Sequence, residues 1–185
     1  MLDFRELKEF IKDTIAYIVL AAVIAFIFIF VIAVVPVAGN SMNPELNDGD
    51  MTIVLRFSYL FNEPQRGEIV NILTEDNLRY VKRIIGLPGE EIHYLNNVLY
   101  VNGKEVKEEY LKGNPVTYNF MFEDICTKKE CKDGIIPEDK YLVLGDNRED
   151  STDSRNKTIG LIDKNEIKGK VVFRIWPLKS FSKVE

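Results

Sequence analysis

Residues 15–35 read IAYIVLAAVIAFIFIFVIAVV, from Ile15 to Val35, without one charged side chain. Twenty-one residues at about 1.5 Å each make a helix that spans the roughly 30 Å hydrocarbon core of a bilayer. Fifteen of them are Ile, Val, Leu or Phe, each favouring insertion by up to about 0.3–0.6 kcal/mol near the bilayer centre. The segment is therefore expected to be a transmembrane helix. A cleavable leader is a poorer reading, because its apolar region runs about 7–15 residues and closes on small residues, whereas this run is longer and ends Val34-Val35-Pro36.

The flanks set the orientation. Arg5, Lys8 and Lys12 precede the span, and Arg56 is the first basic residue after it. Basic residues stay on the cytoplasmic side, so residues 1–14 are expected to be a cytoplasmic segment of the cell membrane protein, with Leu2, Leu7, Phe10 and Ile11 on the apolar face of a short amphipathic helix over residues 2–13. Residues 36–185 then form the extracytoplasmic part, long enough for one domain with a core. The net charge is −5, and no basic stripe points to nucleic acid.

Beyond the span the periodicity changes from helix to strand. Met51–Phe57, Glu68–Leu73, Arg79–Ile85, Glu91–Leu95, Val98–Val101, Tyr141–Leu144 and Val171–Ile175 are short runs rich in β-branched or aromatic residues, bounded by Gly, Pro, Asn or Asp. Asn96-Asn97 and Asn102-Gly103 are hairpin turn signals. The fold class expected is mainly β: a single N-terminal transmembrane helix followed by an extracytoplasmic all-β domain. Residues 104–137 are more charged and less periodic, and read as a small inserted lobe.

That lobe carries Cys126 and Cys131, the two cysteines of the chain. In an oxidising compartment a local disulfide is the expected state and two free thiols the alternative. A zinc site needs four ligands, and two thiols plus the single His93 fall short.

Three places could carry chemistry. Ser41 lies in Val37-Ala38-Gly39-Asn40-Ser41-Met42-Asn43-Pro44, six residues past the apolar span; it is either a turn residue or a nucleophile confined to the membrane surface. The strand Tyr80-Val81-Lys82-Arg83-Ile84-Ile85 puts Lys82 between Tyr80 and Ile84 on one face. If that face is buried, desolvation lowers the amine pKa, as a lysine general base requires; otherwise Lys82 is a solvated edge residue. His93 beside a hairpin turn is a poor candidate for a Ser-His-Asp triad, which leaves lysine as the base for Ser41. Third, Leu144-Gly145-Asp146-Asn147-Arg148-Glu149-Asp150-Ser151-Thr152-Asp153-Ser154-Arg155 follows an apolar strand. A calcium loop does not fit it, because Arg148 and Ser151 stand where a ligand and a glycine belong. Serine hydroxyls and Arg-carboxylate pairs around a neighbouring lysine do fit.

Taken together, these stretches resemble the type I signal peptidases, in a short form similar to Gram-positive members. The resemblance rests on the N-terminal anchor, Gly39 to Pro44, Arg66-Gly67-Glu68-Ile69-Val70, Tyr80 to Glu90, Gly145 to Arg155, and Gly169-Lys170-Val171-Val172-Phe173-Arg174-Ile175-Trp176-Pro177. It implies a membrane-anchored serine endopeptidase with Ser41 as nucleophile, Lys82 as neutral base, and Ser151 as the hydroxyl that positions the lysine amine. Asp146, Asp153, Arg83 and Arg155 match the family's structural ion pairs, and Val35, Val37, Met42, Tyr80 and Val81 match the walls of its substrate pockets. Implied partners are signal peptides of exported preproteins, cleaved after small residues at −3 and −1, and the lipid bilayer, with the secretion translocon a further neighbour to expect; no cofactor is implied. Where some members carry a serine as second oxyanion donor, this chain has Gly39. A self-cleaving repressor protease and an inactive homologue that only binds signal peptides are the rival readings.

Overall fold

The computed structural model describes residues 4–113, 115–126, 131 and 134–184. It opens on one continuous helix, α1 (Phe4–Phe26), extended by a π-helical turn over Ile27–Val31. The amphipathic stretch expected over 2–13 is the first part of α1; Leu2 lies outside the described residues. No residue of α1 is buried by the rest of the protein. The stretch Phe4–Val31, 28 residues, is long and apolar enough to cross a membrane.

Helical structure stops four residues short of the expected end. Ile32, Ala33, Val34 and Val35 belong instead to strand β1 (Ile32–Pro36), which pairs antiparallel with β2 (Met51–Leu55) from Ile32 opposite Leu55 to Pro36 opposite Met51. The correction has a simple cause. Ile and Val favour both lipid insertion and strand pairing, so an apolar run cannot mark where one gives way to the other.

The main sheet is antiparallel in all its pairings. Its order is β1, β2, β10 (Ile167–Trp176), β3 (Ile69–Leu73), β4 (Arg79–Gly86), β8 (Lys140–Leu144) and β9 (Ile162–Asp163), with β11 (Ser182–Lys183) beside β10. Strand alternation sorts its side chains into separate cores. Val70, Ile72, Ile84, Tyr141 and Val143 pack together on one side, while Ile69, Val54, Val171, Val35, Val37, Met42 and Leu46 pack on the other. Bulges in β10 between Val171 and Phe173 and between Ile167 and Gly169 bend the long strand so that it serves β2 at one end and β3 at the other.

A second sheet holds β5 (Ile92–Leu95), β6 (Val98–Val101) and β7 (Lys104–Val106). The turns between them have positive φ at both central residues, Asn96 and Asn97 at 52° and 66°, Asn102 and Gly103 at 51° and 73°, as tight hairpin turns require. Lys104–Val106, expected at the start of the inserted lobe, is the third strand of this sheet, so the structural unit begins at Ile92. The short helix α2 (Phe122–Ile125) and the Cys126–Cys131 disulfide, with Cα atoms 5.9 Å apart, close against it. Its core runs from Ile92 and Leu99 through Phe122 to Leu142 and Leu144 of β8.

A buried ion pair joins this sheet to the loop after β8. Arg148, wholly buried, donates from Nη2 to Glu108 Oε1 at 2.6 Å, from Nη1 to the Tyr94 hydroxyl at 2.6 Å, and from Nε to the Gly145 carbonyl at 3.0 Å. Burial pushes the Glu108 carboxyl up, but the hydrogen bond and charge of Arg148 outweigh it and hold the group below the usual carboxylate range. Removing one partner of such a pair strands the other charge in the interior, a loss of about 3–5 kcal/mol. Glu108→Ala should therefore lower the unfolding midpoint sharply, as measured by denaturant titration in detergent, and replacing Glu108 and Arg148 together by apolar residues of similar volume should recover most of the loss.

Candidate active site

Ser41 stands on a loop between β1 and β2 whose shape follows from its polar residues. Val37 N–H donates to Asp50 O at 2.8 Å and Gly49 N–H to Val37 O at 3.0 Å, so the two ends of the loop are stitched together. Gly39, at φ 80°, donates its N–H to Asp48 Oδ1 at 2.7 Å. Met42 and Leu46, both fully buried, plug the loop into the core below it, and Leu46 N–H donates to Met42 O at 2.9 Å. Ser41 is left half-buried at the rim.

Lys82 comes from the middle of β4. It is only 3% exposed, and its Nζ lies 2.6 Å from Ser41 Oγ. Burial pushes the amine down to about 8; Asp153 and Asp146 pull it up and Arg155 pushes it further down, but desolvation dominates. A lysine in this state is roughly one-tenth neutral at pH 7 and about half neutral at pH 8, and a neutral amine within hydrogen-bond reach of a hydroxyl can take its proton.

The charges around it are tied off in pairs. Arg83, the next residue in β4, donates from Nε and Nη2 to the two Asp146 oxygens at 2.8 and 2.6 Å, both side chains 1% exposed. Its Nη1 donates to Gly67 O at 2.7 Å, and its guanidinium lies 4.0 Å from the centre of the Tyr110 ring. Arg155 makes the same fork on Asp153, Nε to Oδ1 and Nη2 to Oδ2, both at 2.8 Å. Burial pushes the Asp153 carboxyl up, but Arg155 outweighs it and holds the group below its ordinary value. The four charged residues singled out in the sequence thus form two bidentate pairs beside Lys82.

The loop 145–155 also grips the serine loop. Asn147 N–H donates to Ser41 O at 3.0 Å and Asn147 Nδ2 to Asn40 O at 3.1 Å. Gly145 permits this approach, since a Cβ there would overlap Ser41 O and Ser151 Oγ. Ser151 sits against that glycine with its Oγ buried; the hydrogen bond expected from it to Lys82 is not formed, and the hydroxyl instead helps hold the Asp153 carboxyl down.

Ser41 and Lys82 open onto a cleft of about 840 Å³. Val35, Val37, Met42, Tyr80 and Val81 all line it, joined by Ala33, Val54, Asn71 and Leu73, with Arg56, Arg79 and Lys168 at the far end. Two strand edges border it. Among the described strands β1 pairs only with β2, and β4 pairs with β3 over Arg79–Arg83 but with β8 only from Arg83 onward, leaving Ile32–Pro36 and Arg79–Lys82 with an open side. His93 is remote from the cleft, stacked on Tyr100 with ring centres 5.0 Å apart. Among the described residues no cluster of His, Cys, Asp and Glu could hold a metal ion.

Three residues escaped the sequence reading. Arg148 registered only as a misfit in a calcium loop, and its partner Glu108 carries no local signal. Asn71 did leave a trace, as the one polar residue in the apolar run Ile69-Val70-Asn71-Ile72-Leu73.

Known proteins share this arrangement's sequence. A family model described as signal peptidase, peptidase S26, matches residues 7–176. Signal peptidase IB of Staphylococcus aureus strain COL is 41% identical over 183 residues, covering 95% of this chain and 94% of its own. Signal peptidase I of Bacillus caldolyticus is 39% identical over 173 residues, 90% of this chain and 91% of its own. A crystal structure of a signal peptidase I from Enterococcus faecalis V583 aligns with a TM-score of 0.49 at 36% identity, covering 59% of this chain and 97% of that one. The chain belongs to the signal peptidases of peptidase family S26 and is a serine hydrolase.

Proposed function

We propose that this protein is a membrane-anchored endopeptidase that removes N-terminal signal peptides from secreted preproteins after small residues at −3 and −1, with Ser41 as nucleophile and Lys82 as general base. The observation that carries the reading is the buried amine 2.6 Å from Ser41 Oγ at the end of a cleft between open strand edges. An extended substrate adds to an open edge by backbone hydrogen bonds and sends alternate side chains into the cleft. Val37, Met42 and Val81 line that cleft with Ser41 and are the walls proposed to select small side chains.

The proton inventory runs through Lys82. Its neutral Nζ takes the Ser41 hydroxyl proton as Oγ bonds to the scissile carbonyl carbon, and the resulting ammonium gives that proton to the departing amine as the C–N bond breaks. A water then loses a proton to Nζ, attacks the ester carbonyl, and the proton returns to Ser41 Oγ as the acyl bond breaks. The developing oxyanion is met by the backbone N–H of Ser41, a donor of a kind worth roughly 3 kcal/mol in acyl transfer. The Gly39 amide is already committed to Asp48. Ser151 lies against Gly145 and makes no hydrogen bond to the amine in this structure; its proposed role is to take up Lys82 Nζ once Ser41 Oγ is bonded to substrate.

α1 and its π-helical turn cross the bilayer with the N-terminus in the cytoplasm and everything from Ile32 outside. Twenty-eight helical residues at 1.5 Å make about 42 Å, the full thickness including headgroups. The Cys126–Cys131 disulfide accords with an oxidising compartment. Lipid and the exported precursor are the partners, and the translocon is a neighbour through its shared substrate.

Ser41→Ala and Lys82→Ala should each lower precursor cleavage in detergent by at least about 10³-fold, with the unfolding transition retained; a rapidly cleaving variant would remove that residue from the mechanism. Lys82→Arg should be as inactive, because a guanidinium stays protonated. Since only the neutral amine is competent and its pKa lies near 8, kcat/KM should fall about tenfold per pH unit below that point. A profile flat from pH 8 to pH 5 contradicts a lysine base. Ser151→Ala should lower kcat more than it raises KM, measured by steady-state kinetics on the same precursor.

A further inference from the structure

Strand β3 carries a polar side chain where its neighbours are apolar. Val70 and Ile72 face one core and Ile69 the other, and alternation puts Asn71 on the face of Ile69. There it lines the cleft. It is 4% exposed, and its Oδ1 is buried without a hydrogen-bond partner among the described residues. A buried carboxamide oxygen without a donor destabilises the fold, and an aliphatic residue would fit the strand better. Such a group in a binding cleft is explained most directly by a donor that arrives with the substrate.

Its position in the cleft identifies which part of the substrate. In the register of β3 on β4, Val70 lies opposite Lys82 and Asn71 opposite Val81; on its other side Asn71 lies opposite Gly169 of β10. A substrate strand on the open edges, with its −1 carbonyl at Ser41, directs the −1 and −3 side chains to one face about 7 Å apart. Placed so, the −1 side chain would lie nearest Met42 and Val37, and the −3 side chain, two residues nearer the helix end, would reach the part of the cleft that Val35, Val54 and Asn71 line.

We propose, building on the cleavage reading above, that Asn71 is a specificity-determining residue that hydrogen-bonds a hydroxyl on the substrate's −3 side chain, so that threonine or serine there is preferred to an apolar side chain of the same size. A hydroxyl both donates and accepts, so it suits either end of a carboxamide. Valine has the shape of threonine but offers only a methyl, and leaves the Asn71 oxygen dry and unpaired. Pockets built to bond a hydroxyl reject the analogue that lacks it.

The test uses the full-length protein in detergent and three synthetic precursor peptides identical except for Thr, Val or Ala at −3, with kcat/KM read by mass spectrometry of the cleaved bond. The wild type should cleave the Thr peptide about five- to tenfold faster than the Val peptide, the size of effect one hydrogen bond gives. Asn71→Val should bring the Thr to Val ratio to one or below, and Asn71→Ala should reduce it. Cleavage of the Ala peptide with a wild-type Thr to Val ratio at or below one overturns the proposal while sparing the cleavage reading, and so does a ratio that Asn71→Val leaves unchanged. If the variants fail to fold, the wild-type ratio alone decides. Cleavage of none of the three peptides overturns the reading and the proposal together.

Discussion

A lysine amine in water is protonated almost completely at neutral pH and cannot accept a proton from serine. On the proposed reading Lys82 has to escape that state. The amine must be dry, which requires strands β3 and β8 flanking β4 and the serine loop folded over its end. Drying alone is fragile, because a stray carboxylate nearby would restore the charge, and Asp146 and Asp153 both pull the amine upward. Each of those carboxylates is clasped by an arginine fork. Arg155 offsets part of the pull of these carboxylates on the amine, and burial prevails.

The same pairs are mechanical. Arg83 is the residue next to Lys82 and Asp146 lies two residues before Arg148, so one fork ties β4 to the loop that carries Asn147 onto Ser41 O and Asn40 O. Arg148 extends the tie into the second sheet through Glu108 and Tyr94. The second sheet is thus connected by hydrogen bonds through Arg148 to the loop that holds the Ser41 backbone, although it lines none of the cleft among the described residues.

Local signals in the sequence carried much of this. Strand alternation put Lys82 between Tyr80 and Ile84 but left open whether that face was buried, and the asparagine turns located the second sheet's hairpins. Arg83, Asp146, Asp153 and Arg155 were recognisable by motif, though their pairing into two forks needed the fold. Most of the illegible parts share one cause, namely partners far apart in the chain. Glu108 and Arg148 meet across forty residues of sequence, and nothing near either announces the other. The junction at Val31–Ile32 failed for a different reason: one composition served two environments, and only the pairing of β1 with β2 separates them.

That junction constrains the proposed mechanism more than the length of the apolar run does. A flexible linker between anchor and domain would let the cleft tumble above the lipid. Here no linker exists, because Val31 ends the helical stretch and Ile32 already pairs with Leu55. Arg56 reinforces the corner, its N–H donating to Val31 O at 3.0 Å and its Nη1 to Ile29 O at 3.1 Å. Five strand residues at about 3.3 Å each then separate the helix end from Pro36, roughly 17 Å along the cleft. On the proposed reading a substrate leaving the bilayer beside α1 meets the open edge of β1 at once, follows it as an added strand, and reaches Ser41 after a stretch of chain fixed by the number of residues in β1. On that reading the cleavage position would be measured from the membrane by the strand itself, with small side chains demanded where the substrate passes Val35 and Met42.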